Sequence, residues 1–280
     1  MLEQAQGLSP DALAAVAELE REVVDADGGR LKLEWETLRR RRGERVEDLL
    51  WWEQERLCGF LGLYSFASPV ELCGMVAPSF RGRGIGTELL DAAMVLCRSR
   101  TEQAALLVVP RTSTAGRALA LRRGARLDHS EYALLLTGSP KASSRTPGVT
   151  VRGAVAADGA VVSRLIETGF GHPAHDITDE ADPSRGQTLV IEHQGEVAGT
   201  IRVTRNGQDA GIYGFVIEPE RQGRGLGREA LRQVCDQLAD QGTARVGLEV
   251  AVDNEQALTL YTSLGFAPIS TEDYYSMPIN

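Results

Sequence analysis

The amino-acid sequence predicts an α/β protein built from two tandem copies of one domain, and three observations carry that expectation. The first is an internal repeat. Pro78-Ser79-Phe80-Arg81-Gly82-Arg83-Gly84-Ile85-Gly86 matches Pro219-Glu220-Arg221-Gln222-Gly223-Arg224-Gly225-Leu226-Gly227 at an offset of 141 residues. Leu107, Val109 and Gly124 meet Leu248, Val250 and Gly265 at the same offset, which duplication explains economically. The second is a segment from Thr137 to Gly148, rich in Gly, Ser, Thr and Pro and without an apolar period. It predicts a linker over 138–148 between domains 1–137 and 149–280. The third is the mixed order of strand and helix patterns, which suggests a sheet with layers on both faces.

Taken in order, the second half opens with a short strand from Val149 to Arg152. Val161, Val162, Leu165 and Ile166 fall at helical spacing behind a candidate Asp158 N-cap, so 158–170 is expected to be helical. A polar loop then runs from Gly169 to Gly186. Thr188–Glu192 and Glu196–Thr204 form a hairpin turning at Gln194-Gly195. Ala210–Ile217 is a strand, Leu226 to about Ala239 a helix, Val246–Val250 a strand and Glu255–Ser263 a helix, with a strand again from Phe266. The first half repeats this pattern with strands at Leu49–Glu53, Leu57–Tyr64 and Val70–Val76 and a helix from Ile85. Its beginning differs: Asp11–Val24 is helical, with little room for a strand before it.

Composition narrows the class. A formal net charge of −9 argues against a partner such as nucleic acid, bound through overall basicity. Lys32 and Lys141 are the only lysines, an arginine bias that points to a GC-rich bacterial genome. Cys58, Cys73, Cys97 and Cys235 form no CxxC pair, so reduced thiols in a cytoplasmic protein are expected, with no metal site. No apolar run reaches membrane-span length, and the first residues carry no signal-peptide pattern, so no membrane association is expected.

Each repeated segment places closely spaced glycines between a strand and a helix. Glycine lets backbone approach a ligand at positive φ, and the helix start adds unpaired N–H groups and a favourable dipole, so the turn suits phosphate. Taken alone, such a turn can also be a tight connection. Arg228 and Thr87 stand where GxGxxG needs its last glycine, and no lysine supplies a P-loop.

What remains is Q/R-x-x-G-x-G, followed in the second copy by Asn254, Ala257, Leu260, Tyr261, Gly265 and Phe266 in the pattern N-x-x-A-x-x-L-Y-x-x-x-G-F. This pair of motifs resembles those of the GNAT superfamily of N-acetyltransferases. The resemblance covers most of 149–280 and, more weakly, the first half. It implies two GNAT-like domains, each a mixed, mostly antiparallel central sheet flanked by helices, and acetyl-CoA as co-substrate. It further implies that Phe215, Val216 and Ile217 pair with the pantetheine arm and that Gln222, Gly223, Arg224, Gly225, Leu226, Gly227 and Arg228 surround the pyrophosphate. Asn254 would hydrogen-bond the arm, and Tyr261 would protonate the departing sulfur as general acid. Considered without the motif, Tyr261 reads as a core aromatic with its hydroxyl at the edge; within the motif the catalytic role is favoured. In the first copy Arg81, Gly82, Arg83, Gly84, Ile85 and Gly86 repeat the turn.

The first copy departs downstream. At the shared offset Asn254 becomes Ser113, Ala257 becomes Gly116, Tyr261 becomes Ala120 and Phe266 becomes Ala125. The first domain is therefore expected to be non-catalytic, with cofactor binding and a purely structural role both open. Tandem pairs with one active copy occur in this superfamily, mycothiol synthases among them.

Glu249 is the candidate base, although strand alternation also allows it to face solvent. Glu218, His172, His175 and Asp176 are further acidic or basic groups in or near the expected substrate region. The run Arg39-Arg40-Arg41-Arg42 is read as a solvated face. Trp51-Trp52 is read as one core and one surface indole, and Tyr274-Tyr275 either lines an acceptor pocket or packs across strands. The leading expectation is an N-acetyltransferase whose acceptor is a small-molecule amine or a protein amino group. A non-catalytic acyl-CoA-binding module and a thiol-biosynthetic acetyltransferase like mycothiol synthase are the alternatives.

Overall fold

The computed structural model describes residues 1–65, 69–100, 102, 104–141, 145–171 and 186–279. By contacts the chain divides into two compact units. One comprises Met1–Glu131 together with Ile269–Asn280, and the other Tyr132–Pro268.

The first unit contains strands β1 (Leu2–Ala5), β2 (Asp48–Glu53), β3 (Arg56–Tyr64), β4 (Val70–Val76) and β5 (Ala104–Pro110). Its helices are α1 (Pro10–Asp27), α2 (Trp35–Arg40), α3 (Ile85–Ser99) and α4 (Thr114–Arg122). The second unit has β7 (Val149–Gly153), α5 (Gly159–Phe170), β8 (Gln187–His193), β9 (Glu196–Asn206), β10 (Asp209–Ile217), α6 (Leu226–Asp240), β11 (Arg245–Ala251) and α7 (Glu255–Leu264). Strands β6 (Arg126–Thr137) and β12 (Ala267–Pro278) each run across a unit boundary.

The sheet of the first unit has the order β1-β2-β3-β4-β5-β12, and that of the second β7-β8-β9-β10-β11-β6. Among the described residues with a registered pairing, only β4/β5 and β10/β11 run parallel and the other pairs are antiparallel. The units therefore exchange last strands: Glu272–Pro278 pairs with Pro110–Ala104, whereas Leu134 and Leu136 of β6 enter the core of the second unit. Residues of the expected linker also pack on the second unit. The Lys141 N–H donates to the Leu264 carbonyl at 2.8 Å, and the Thr146 hydroxyl to Gly225 at 3.4 Å.

Local rules account for the elements. Ser9 caps α1 by accepting from the Ala12 N–H at 3.1 Å, Pro10 opens the helix, and Gly28 at φ 71° ends it. The β8–β9 hairpin turns at Gln194 and Gly195, both at positive φ, a two-residue geometry that follows strand twist. Asp158 does not cap α5. Its carboxylate accepts from the Val155 N–H at 2.8 Å and is paired with Arg152, so a short 3-10 turn precedes the helix.

Three expectations about the first half are corrected. A strand, β1, does precede α1, pairing Leu2–Ala5 with Trp51–Asp48; its short polar sequence hid it. The arginine run is not a uniformly solvated face: Arg41 is buried against Asp48 at 2.7 Å, because that fully buried carboxylate needs a counter-ion. Burial still pushes Asp48 up to about 6. Trp51 and Trp52 are both half-buried, their indole N–H groups donating to Glu53 and Glu3. All four cysteines are free and buried. Among the described residues no helix is long and apolar enough to cross a membrane.

The strand exchange makes a specific prediction for stability. Deleting residues 269–280 should expose the β5 edge, so amide exchange in 104–110 should accelerate well before that in 245–251, whose neighbours β6 and β10 remain. Equal acceleration in both segments would contradict the exchange.

Candidate active site

In each unit the two parallel strands pair for four residues and then part. The β10–β11 ladder ends at Ile212 and Leu248, and the β4–β5 ladder at Cys73 and Val108. Beyond those points the facing backbone edges carry no ladder bonds to each other. In the second unit the β9–β10 register also shifts between Tyr213 and Val216, with Gly214 at φ 54° inside the bulge. The β3–β4 ladder has no such shift.

Each leading strand then enters a 3-10 turn, Pro219–Arg221 or Pro78–Phe80, and the glycine segment. Gly223 and Gly225 have φ of 73° and 78°, and Gly82 and Gly84 have 74° and 88°, values that disfavour any side chain. A Cβ on Gly82, Gly84 or Gly223 would meet no protein atom within 4 Å, which leaves an open cradle of backbone. The first motif residue anchors each turn: Gln222 donates to the Ile217 carbonyl at 2.9 Å, as Arg81 does to Val76 at 3.1 Å. Leu226 and Gly227 begin α6, as Ile85 and Gly86 begin α3. Arg224 donates to the Glu220 carbonyl at 3.0 Å and Arg83 to Ser79 at 3.1 Å. Arg228 has a buried Nε with no acceptor among the described residues, a donor that an anion at the helix start would satisfy.

Downstream, Asn254 caps α7, its Oδ1 accepting from the Ala257 N–H at 3.0 Å. Tyr261 lies on α7, 8% exposed, with ring centroids 6.4 Å from Phe215 and 6.0 Å from Phe266. Its hydroxyl has no hydrogen-bond partner among the described residues, and burial pushes its pKa up to about 12. Leu248 and Val250 pack in the core with α6 residues, so alternation turns the half-buried Glu249 to the opposite face. That is the face on which Gly169 of α5 approaches Val216. Phe215 packs with the α6 core, Val216 beneath Gly169, and Ile217 accepts the Gln222 bond.

Other candidates resolve differently. Glu218 is ion-paired with Arg164 and Arg221, both at 3.0 Å. Tyr274 and Tyr275 lie in the two cores of the first unit, beside β5. His172, His175 and Asp176 lie outside the described residues. Among the described residues no group of three or more His, Cys, Asp or Glu could hold a metal.

In the first copy Ser113 caps α4 and also donates to Asp27 at 3.4 Å. Asp27 in turn forms a bidentate pair with Arg81 at 2.7 and 2.9 Å. Sequence reasoning missed this pair because its members are 54 residues apart, on a helix end and a turn with no local signal. It missed the bulge for a similar reason, since the register shift depends on the pairing of β10 with β9.

The acetyltransferase (GNAT) family model matches residues 13–125 and 162–266. The chain belongs to the GNAT acetyltransferase family. Across 97% of its length this GNAT chain is 30% identical to a mycothiol acetyltransferase of Kytococcus sedentarius, of which 96% is covered. Its fold is similar to that of a GCN5-related N-acetyltransferase from Sphaerobacter thermophilus, with a TM-score of 0.83, 20% identity, and coverage of 100% and 96% of the two chains. It is also similar to a tandem GNAT protein from the clavulanic acid biosynthesis pathway, at a TM-score of 0.72, 18% identity and coverage of 100% and 99%. The fold is thus α/β with GNAT-type mixed sheets, and the protein is an acetyltransferase.

The burial of Tyr261 has a spectroscopic consequence. Phenolate absorbance attributable to Tyr261, taken as the difference from Tyr261→Phe, should appear with a midpoint near 12. A midpoint near the ordinary tyrosine value of about 10 would show an exposed hydroxyl.

Proposed function

We propose that the C-terminal copy transfers the acetyl group of acetyl-CoA to a primary amine by direct attack. The observation that carries this reading is the meeting, in one copy, of the parted strands, the open glycine cradle with its orphan Arg228 donor, and a buried tyrosine. Residues Gln222–Arg228 would hold the pyrophosphate, and the unpaired edge of Phe215–Ile217 would hydrogen-bond the pantetheine arm as an added strand would. The Asn254 side chain, whose oxygen is used in capping, keeps its NH2 for the arm.

In the reaction the neutral amine forms an N–C bond to the thioester carbonyl and the C–S bond breaks. Glu249 takes the proton the amine loses, and Tyr261 gives its phenolic proton to the departing sulfur. A raised pKa keeps Tyr261 in the proton-bearing form across the range in which amines become neutral. Backbone donors at the bulge near Val216 steady the developing oxyanion. The N-terminal copy has Ala120 and Val108 at the acid and base positions, and we assign it no catalysis.

A second reading of the acceptor follows from the near full-length likeness to a mycothiol acetyltransferase: an amine of mycothiol chemistry. A thiol-release assay across an amine panel that includes such a compound separates it from other amines.

Two measurements test the site. Gly225→Val places a branched side chain at positive φ, 2.8 Å from the Thr146 hydroxyl, and should abolish calorimetric binding of acetyl-CoA at the C-terminal copy in a folded protein. Unchanged stoichiometry would move the site elsewhere. Tyr261→Phe should lower kcat by about 10²–10⁴ with acetyl-CoA affinity nearly unchanged. Turnover at the parent rate would reduce Tyr261 to packing.

A further inference from the structure

The end of the expected linker, residues 145–148, and the first residue of β7 are fastened to the opening turns of α6. Gln233 donates to the Val149 carbonyl at 3.0 Å and to the Glu229 carboxylate at 2.8 Å. Glu229 is only 4% exposed and takes a two-pronged pair from Arg232, at 2.6 and 3.2 Å. Its pKa lies below the usual glutamate value. The Arg232 hydrogen bonds lower it most, Gln233 and the Thr146 amide add to them, and together they outweigh burial. A buried carboxylate is costly unless its acceptor positions are used, and here donors from both α6 and the linker use them.

Thr146 carries this clamp to the glycine turn. Its hydroxyl donates to the Gly225 carbonyl at 3.4 Å and stands 2.8 Å from where a Cβ on Gly225 would be. The same carbonyl accepts from the Glu229 N–H at 3.1 Å. Glu229 therefore holds one peptide of the turn directly, from within α6, and again through Thr146, from outside. Packing does little to press the segment down. An open groove of about 710 Å3, lined by Arg145, Pro147, Asp236 and Asp240 among others, runs between it and α6.

The N-terminal copy lacks this arrangement. Its counterpart of Glu229 at the offset of 141 is Glu88, which is exposed. A Cβ on Gly84 would meet nothing within 4 Å, so no described segment lies against that turn.

We propose that the linker end is a working part of the acetyl-CoA site, with Glu229 as the positioning residue that holds Thr146 against the turn. This rests on the reading that Gln222–Arg228 holds the pyrophosphate. Glycines at positive φ leave the turn open to phosphate but also soft, and that freedom is lost on binding. A segment clamped on the turn removes it beforehand. Restricting the backbone of even one residue in this way is worth about tenfold in affinity.

Protection of 223–228 from amide exchange, titrated with acetyl-CoA in the full-length protein, reads the affinity of this turn alone. Glu229→Ala should raise the midpoint about tenfold. It should also speed exchange of the free protein in 146–149 and 223–228, while 234–238, deeper in α6, stays as it was. Glu229→Gln, which keeps an acceptor for the Thr146 amide, should recover most of the affinity. If Glu229→Ala does not fold, Thr146→Val takes its place: the change is isosteric, at a half-buried residue, and the loss of the hydroxyl should raise the midpoint. An unchanged midpoint in the folded variant overturns the inference and leaves the turn assignment standing. So does a loss of affinity accompanied by faster exchange throughout α6, which is general destabilisation. No protection of 223–228 in the parent protein overturns both.

Discussion

The ladder between β10 and β11 stops at Ile212 and Leu248, and two parallel strands then diverge with polar backbone on their facing edges. Buried or half-buried backbone groups seek partners, so such a gap either takes water or takes a ligand that presents its own amides. Everything else in the site is arranged around that gap. The bulge at Gly214 disrupts the β9 pairing just where the gap opens, and the glycine turn closes its far end with open backbone. Helix α7 brings Tyr261 against Phe215, at the strand that leaves the ladder.

The two copies separate what the fold requires from what the proposed chemistry requires. Both keep the parallel pair that parts, the turn at positive φ and the side chain that ties the turn to the last strand carbonyl. Those features belong to the shared fold, and on the proposed reading they suit an anionic ligand. Only the second keeps the bulge, the phenol and the acidic group on the far face of β11. The first has Ala120 and Val108 at the positions of the phenol and the acidic group.

The repeat, the turn and the downstream motif were legible because each depends on spacing along a few dozen residues. Gly84 and Gly225 announce themselves by composition, and the Asn254–Phe266 pattern fits one helix and its exit. What stayed hidden depends on distant partners. Asp48 buries its carboxylate in the sheet and draws in Arg41, which looks in isolation like part of an exposed basic run. Strands β6 and β12 have similar local patterns, so nothing in either sequence indicates that each pairs in the other's unit. Glu249 needed the burial of Leu248 and Val250 to decide its face.

Hydrogen–deuterium exchange of the full-length protein with and without acetyl-CoA tests the central claim most directly. The unpaired edge of β10 and the cradle should be the amides the co-substrate covers. Slowed exchange in 213–217 and 223–228 is the predicted result. Acetyl-CoA binding with exchange unchanged in both segments would contradict the account.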